Sequence, residues 1–161
     1  MSTIILILTA TTTALIAGLF YAYSCSVNIG LGKLSDGQYL TAMQSISSSI
    51  LNPLFFTSFI GSLILLPLCT VLHYQRLGSP VFMLLLIASI VYIAGSFAVT
   101  IFGNVPLNEM LEKFELNSTS TEALAAQRAK FEVPWNRLHT IRTIASVISL
   151  VLVILACIKK V

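Results

Sequence analysis

Residues 80–102 read PVFMLLLIASIVYIAGSFAVTIF, a run with no charged side chain. An α-helix rises about 1.5 Å per residue, so about 20 apolar residues are enough to cross the roughly 30 Å of hydrocarbon in a bilayer. This stretch therefore predicts a transmembrane helix, and residues 4–24 and 51–73 meet the same requirement. A fourth stretch, residues 140–158, is less apolar because Arg142 lies in its first turn.

The composition indicates the same class of protein. Apolar residues make up 57% of the 161 and charged residues 9%, whereas a soluble domain has about 25% charged residues. No charged residue precedes Lys33, and ten of the fifteen charges fall between Glu109 and Arg142. The chain is therefore expected to reside in lipid, with its charges gathered in one polar segment.

Together these patterns predict an all-α integral membrane protein. We expect one domain, residues 1–161, folded as a four-helix bundle with a polar, partly helical extramembrane segment at residues 103–139. Four crossings place both termini and the turn at residues 73–79 on one side of the membrane. Residues 25–50 and 103–139 then lie on the other side. The side of the termini carries three basic and no acidic residues, whereas the other carries six of each. The local positive excess favours cytoplasmic termini, although the raw count of basic residues favours the opposite orientation.

Several function classes find no support in the sequence. Cys25, Cys69 and Cys157 show neither CxxC nor Cys/His spacing, so a structural zinc site or a disulfide framework is not expected. No nucleotide-binding glycine loop or nucleophile elbow occurs, and nothing indicates nucleic-acid binding. The expected partners are the lipid bilayer and a hydrophobic aromatic or quinone-like small molecule, and so small a bundle could also form a homo-oligomer.

Two asparagines follow the third apolar stretch directly. Asn104 and Asn108 are four residues apart, so a continuous helix would present both amides on one face at the membrane boundary, where they could orient a ligand. Because Pro106 suits a first helical turn, Asn104 could instead cap a new helix. The glutamates that follow, Glu109 and Glu112, are interpreted as a solvated face.

A second polar cluster leads into the fourth stretch and overlaps its first turn. Trp135, His139 and Arg142 lie at positions i, i+4 and i+7, which places them on one stripe of a helix. Pro134 is expected in the first turn of that helix. The stripe supplies a stacking surface, a titratable group and a fixed cation beside an apolar cavity.

Further polar residues are expected at the same membrane side. Asn28 follows the first stretch, and Gln44 and Asn52 lie around the start of the second. With Tyr21 and Tyr23 they could complete a polar mouth, although tyrosines there also serve as interface anchors. We count Asn28, Gln44 and Asn52 with the two asparagines and Trp135 as candidate substrate-binding residues.

These residues resemble the anthrone oxygenase-like family of small integral membrane proteins. The similarity covers nearly the whole chain and rests mainly on Asn104-Val-Pro-Leu-Asn108 and on Trp135-x-x-x-His139-x-x-Arg142. Weaker parts are Gly18-Leu-Phe-Tyr21 and the region from Ala42 to Pro53. The resemblance implies a four-helix membrane fold and, in characterised members, oxidation of an anthrone to an anthraquinone by molecular oxygen.

That chemistry can be matched to the residues. An anthrone has an acidic carbon between two aromatic rings, and its anion is electron-rich enough to reduce oxygen without a metal or cofactor. In this hypothesis His139 is the general base, Arg142 stabilises the enolate oxygen and Trp135 stacks on the rings. Asn104 or Asn108 would hold a phenol or carbonyl.

Two other functions remain open. His139, with or without His73, could bind haem or a metal, but the predicted topology puts His73 near the opposite membrane face. Alternatively the chain is a non-catalytic module that binds a quinone or lipid or assists a partner protein. Its basic residues Arg128, Lys130 and Arg137 would then contact lipid headgroups.

Overall fold

The computed structural model describes residues 2–74, 78–116 and 120–160, which form helices and their connections without any strand. Within these residues four helices are long and apolar enough to cross a membrane. This confirms the all-α, multi-pass membrane fold that the sequence predicts. Asn117-Ser118-Thr119, which matches the glycosylation sequon but to which we assign no function, and the loop residue Arg76 lie outside the described residues.

The first crossing, α1, runs further than predicted. Its α-helical part, Ser2–Ala22, continues through a π-helical turn, Tyr23–Val27, and ends with Asn28–Leu31. The polar helix α2, Asp36–Ser49, follows after a short turn, and the Ser35 amide donates to Gln38 Oε1 at 3.3 Å at its start.

The second crossing, α3, is Pro53–Leu72, close to the predicted span. Asn52 caps it, since its Oδ1 accepts from the amides of Leu54 and Phe55 at 3.0 and 3.1 Å. Proline is favourable next to such a cap because its missing amide hydrogen is not needed in the first turn.

The third crossing, α4, is one long helix whose middle is π-helical. Pro80–Val91 leads into two π-helical segments, Tyr92–Ala98 and Thr100–Asn104, and the helix ends with Val105–Glu112. The capping role considered for Asn104 is therefore wrong. Its backbone is helical and its side chain makes no capping hydrogen bond, because the helix passes through this residue without interruption.

The fourth crossing, α5, is Thr121–Lys160, a helix of 40 residues. Pro134 lies inside it rather than in its first turn, so that expectation is wrong. The physical reason is that the helix begins upstream, where Ser120 Oγ accepts from the Ala123 amide at 3.3 Å. Most of residues 103–139 are thus the ends of two membrane helices.

The bundle is closely packed where α4 meets α5 and where α1 meets α3. A Cβ atom at Gly95 would lie 2.6 Å from Ala145 Cβ, and one at Gly61 would lie 3.3 Å from Thr12 Cγ2. Hydroxyl pairs join the helices as well, such as Ser96 with Ser146 at 2.9 Å. By contrast Ala14, Gly18 and Ala22, small residues spaced four apart on α1, are exposed, and a Cβ at Gly18 would meet nothing within 4 Å.

The polar helix α2 packs across the ends of α4 and α5. Tyr39, Leu40 and Met43 form a buried cluster with residues of those two helices. Arg128 of α5 holds the connection before α2, because its guanidinium donates to Leu34 O at 2.8 Å and pairs with Asp36 at 3.1 Å. The α2 helix therefore closes one end of the bundle.

The ring of Tyr39 packs against the Arg128 guanidinium that pairs with Asp36. The Arg128 guanidinium carbon is 4.4 Å from the centre of the Tyr39 ring. Burial, supported by the charge of Glu132, raises the pKa of Tyr39 above its usual value, while Arg128 acts in the opposite direction. The phenol therefore stays neutral across the physiological pH range.

Candidate functional site

A cavity of about 340 Å³ lies at the end of the bundle that α2 closes. Its walls come from α1, α2, α4 and α5, with Phe55 from the start of α3. The volume is within the range of small-molecule binding sites, and most of the lining is apolar, as in such sites. Six polar residues of the lining matter for its chemistry: Gln44, Asn104, Asn108, Glu109, Glu112 and Arg142.

Arg142 contributes a buried positive charge to this cavity. It is 8% exposed, and its guanidinium carbon lies 4.4 Å from the Phe20 ring centre and 5.1 Å from the Trp135 ring centre. Among the described residues no carboxylate pairs with it, since both recorded ion pairs belong to Arg128. A buried cation inside a membrane bundle is costly, so it indicates a functional site.

His139 lies behind Arg142 and does not line the cavity. Its Nδ1 accepts from Arg142 Nε at 3.1 Å and lies 3.0 Å from Nη2. Because arginine can only donate, this pattern assigns the ring proton to Nε2, which lies 2.9 Å from Ser24 Oγ. Both ring nitrogens are therefore engaged inside the protein.

Trp135 joins the histidine to the cavity wall. Its ring stacks on the His139 ring with centroids 5.1 Å apart and an interplanar angle of 9°. The indole Nε1 donates to Asn108 Oδ1 at 2.8 Å, which fixes the ring in place. The Tyr23 ring packs against the Trp135 ring, and their centroids are 5.4 Å apart. The predicted stripe on α5 is thus one contiguous group.

Asn104 supplies an acceptor without a partner. The residue is 1% exposed and its Nδ2 donates to the Trp135 carbonyl at 3.2 Å. Its Oδ1 is buried and makes no hydrogen bond to any described residue. An orphaned buried acceptor usually costs about 1–3 kcal/mol, so a ligand donor or a water at this position would be stabilising.

The other predicted binding residues fall into two groups. Gln44 lines the cavity, and its Nε2 donates to the carbonyls of Leu111 and Phe114, which ties α2 to the end of α4. Asn28 and Asn52 do not line it. Asn52 is occupied as the cap of α3, and Asn28 lies in the last turn of α1 beyond the π-helical segment.

The sequence interpretation missed two charged residues of the lining. Glu109 and Glu112, interpreted as a solvated face, both line the cavity while remaining exposed, so they lie at its mouth. The signal was present, because Glu112 continues the four-residue spacing of Asn104 and Asn108. It could not be recognised without knowing that α4 is continuous through these residues.

The described part of the chain has three π-helical segments, and two of them contribute to the site. Tyr23 opens the segment in α1, and Thr100 and Asn104 bound the second segment in α4, and all three line the cavity. A π-helical turn shifts the side chains that follow it, and such turns are frequent at functional sites. Sequence periodicity assumes regular α-helix and gives no indication of them.

The histidine pair proposed for a metal is not brought together. His73 lies at the end of α3, where its Nδ1 is 2.8 Å from the Cys69 carbonyl, and His139 is on α5 beside the cavity. Within residues 2–74, 78–116 and 120–160, no three His, Cys, Asp or Glu side chains are grouped as metal ligands would be.

Comparisons with known proteins identify a family for this chain. The family model described as "Anthrone oxygenase" matches residues 54–152, which is more than half of the chain. The matched range begins after α1 and α2. It contains Asn104, Asn108, Trp135, His139 and Arg142. No curated protein and no solved structure matches the chain.

Proposed function

The chain belongs to the anthrone oxygenase family, and we propose on this premise that its cavity binds a planar, hydrophobic aromatic compound of the anthrone type and oxidises it with molecular oxygen. The compound would carry a carbonyl whose enolate form is stabilised inside the protein. No cofactor is needed for this reaction in principle, because the substrate itself supplies the electrons.

The observation that carries this proposal is that one cavity is lined both by Arg142, a buried cation without a carboxylate partner among the described residues, and by Asn104, whose Oδ1 is an orphaned acceptor. A guanidinium that has no carboxylate partner in the described chain can stabilise negative charge that develops on a ligand oxygen. Asn104 Oδ1 can accept from a phenolic hydroxyl beside that oxygen. An apolar wall with these two groups suits a polycyclic phenol or ketone.

The proposed reaction balances without another reactant. Removal of a proton from the acidic carbon leaves an enolate, whose carbon transfers electrons to oxygen and forms a carbon–peroxide bond. Loss of the second hydrogen of that carbon, with cleavage of the oxygen–oxygen bond, leaves a carbonyl and water. One anthrone and one oxygen molecule thus give one anthraquinone and one water.

Trp135 and His139 would prepare the site for this substrate. The Trp135 indole lines the cavity and offers an aromatic face or edge to the ligand. His139 accepts a hydrogen bond from Arg142 and stacks on Trp135, so it orients both. We therefore propose His139 as a positioning residue, because direct removal of a substrate proton would require it to face the cavity.

The test is oxygen uptake by the detergent-purified full-length chain supplied with anthrone. We expect one oxygen consumed per anthrone at a rate above autoxidation in buffer, with anthraquinone detected by its absorption. Arg142→Gln should lower the rate by roughly 10²–10³-fold, as expected for loss of a group that stabilises an oxyanion. Arg137→Gln is the matched control, since Arg137 is exposed on the same helix and does not line the cavity.

Two results would lead to other functions. If the Arg142→Gln variant consumes oxygen at the full wild-type rate, Arg142 does not stabilise the oxyanion. If wild-type protein binds anthrone, seen as quenching of its single tryptophan, but consumes no oxygen, the cavity is a binding site for quinone-like or lipid molecules. An absorption spectrum of the purified protein would report haem in the same sample.

A further inference from the structure

The cavity has a buried end and an exposed end with different chemistry. At the buried end are Arg142 and Asn104, which are 8% and 1% exposed. At the mouth are the carboxylates of Glu109 and Glu112, both on exposed residues that line the same cavity. A ligand that spans the cavity would thus meet a cation at one end and anions at the other.

An anthrone matches the cationic end and the acidic mouth of the cavity in one orientation. Its carbonyl and its acidic carbon lie on opposite edges of the central ring. When the carbonyl oxygen is bound by the Arg142 guanidinium, and a neighbouring phenolic hydroxyl donates to Asn104 Oδ1, the acidic carbon is directed towards the mouth. His139 is on the wrong side for this carbon, because it lies behind Arg142 at the carbonyl end.

From this arrangement we infer that Glu112 is the general base that removes the proton from the acidic carbon. This inference rests on the proposed function and adds the residue that the reaction still lacks. Glu112 continues the stripe of Asn104 and Asn108 along α4, with a spacing of four residues at each step. Its exposure at the mouth allows its proton to exchange with water.

The other groups of the lining cannot take this role. Arginine is always protonated, and the amides of Asn104, Asn108 and Gln44 are not bases near neutral pH. The Tyr23 hydroxyl donates to Met43 Sδ at 3.1 Å. Glu109 is the one remaining carboxylate of the lining, but it lies five residues from Asn104 and therefore off the stripe.

The charged and titratable groups that share the cavity with Glu112 are few. They are Glu109 on the same helix, Arg142 on α5 and Tyr23 on α1, while α2 contributes only the neutral Gln44 and serines. A carboxylate side chain at this position can act as a general base when substrate binds.

One carboxylate is enough to carry out all the proton transfers of the reaction. Glu112 takes the first proton, and the electron pair of the carbon–hydrogen bond enters the ring system as the enolate. After oxygen adds, the peroxide anion takes this proton back and becomes a hydroperoxide. Glu112 then removes the second proton from the same carbon, the carbonyl forms, and the departing hydroxide combines with that proton to give water.

The experiment measures proton removal without oxygen. Anthrone deuterated at its acidic carbon is incubated anaerobically with the full-length protein, and loss of deuterium to water is followed by mass spectrometry. We expect Glu112→Gln to slow protein-catalysed exchange by roughly 10²–10⁴-fold and to remove the fall in rate at acidic pH. Glu112→Asp keeps a carboxylate and should retain part of the exchange and its pH dependence.

Two further variants make the assignment specific. Glu115→Gln is the matched control, because it changes the same side chain nearby and Glu115 does not line the cavity, so its exchange rate should equal that of wild type. Glu109→Gln should change the rate by only a few-fold. The inference is overturned if Glu112→Gln exchanges as fast as wild type, or if Glu109→Gln shows the large loss instead.

Failure of this inference and failure of the proposed function give different results. If wild type consumes oxygen with anthrone while Glu112→Gln exchanges normally, the base is another group and the oxygenase proposal stands. If wild type exchanges deuterium in a Glu112-dependent way but consumes no oxygen, Glu112 is the base and the oxygenase proposal fails. Quenching of Trp135 fluorescence by anthrone confirms in each variant that the cavity is folded.

Discussion

At the scale of single residues, the proposed function depends on how Arg142 is held. The guanidinium lies between the rings of Phe20 and Trp135 and donates to His139. Such contacts orient a cation without neutralising it, whereas a carboxylate partner would compensate the charge that a ligand needs. In the proposed function, the arginine is therefore available to an anionic oxygen of the ligand.

This role of His139 can be tested with two substitutions of similar size. His139→Gln keeps a side-chain acceptor for Arg142 but cannot act as a base near neutral pH, and His139→Leu removes the acceptor. We expect oxygen uptake within a few-fold of wild type for Gln and a loss of about 10²-fold for Leu, a typical cost of a misplaced catalytic group. An equally large loss for both variants, with an altered pH profile for Gln, would show that His139 itself accepts the proton.

At the scale of the elements, α4 positions the site because it is continuous but not regular. Its π-helical segments, Tyr92–Ala98 and Thr100–Asn104, precede the stripe that starts at Asn104. The first segment contains Gly95, whose backbone approaches Ala145 of α5 more closely than a side chain would permit. The close contact between α4 and α5 thus accompanies the hydrogen bonds that join Asn104 and Asn108 to Trp135.

The close approach at Gly95 predicts a stability effect with a built-in control. Gly95→Ala would place its Cβ 2.6 Å from Ala145 Cβ and force the two helices apart, which should lower the free energy of unfolding by about 1–3 kcal/mol. Gly18→Ala adds the same methyl group to α1, where nothing lies within 4 Å, and should not destabilise. Thermal unfolding in detergent measures both, and equal unfolding temperatures would contradict the close contact.

At the scale of the whole molecule, the bundle has two different ends. The core between α1, α3, α4 and α5 is apolar and joined by buried hydroxyl pairs. The end covered by α2 holds the cavity, the cation and the acidic mouth. Four crossings place the two termini at the opposite end from this mouth. The hydrophobic substrate that we propose would thus reach a site at one membrane face.

The distribution of basic residues predicts which face this is. Lys159 and Lys160 near the C-terminus, together with Arg76, favour cytoplasmic termini, so the cavity mouth should open on the other side. A C-terminal reporter that is active only in the cytoplasm should be active when fused to the full chain. An N-terminal fusion is the control, since both must report the same side, and a C-terminal reporter active only outside would reverse the orientation.

The sequence by itself determined the fold class and the chemical character of the site. Long uncharged stretches can be stable only as membrane helices, because each backbone hydrogen bond must be made within the segment. The spacing from Trp135 to Arg142 and from Asn104 to Asn108 holds in any continuous helix, so these faces were predictable. The family match over residues 54–152 covers both patterns.

Only the tertiary structure decided which of these side chains face the cavity. Asn52 and Asn28 are polar residues near the correct membrane side, but local helix geometry keeps them away from it, whereas Glu112 lines it. His139 and Arg142 are three residues apart, yet only Arg142 lines the cavity, because contacts with Ser24 and Trp135 from separate directions hold His139 behind it. Sequence spacing fixes a face of one helix, and the packing of four helices decides what that face meets.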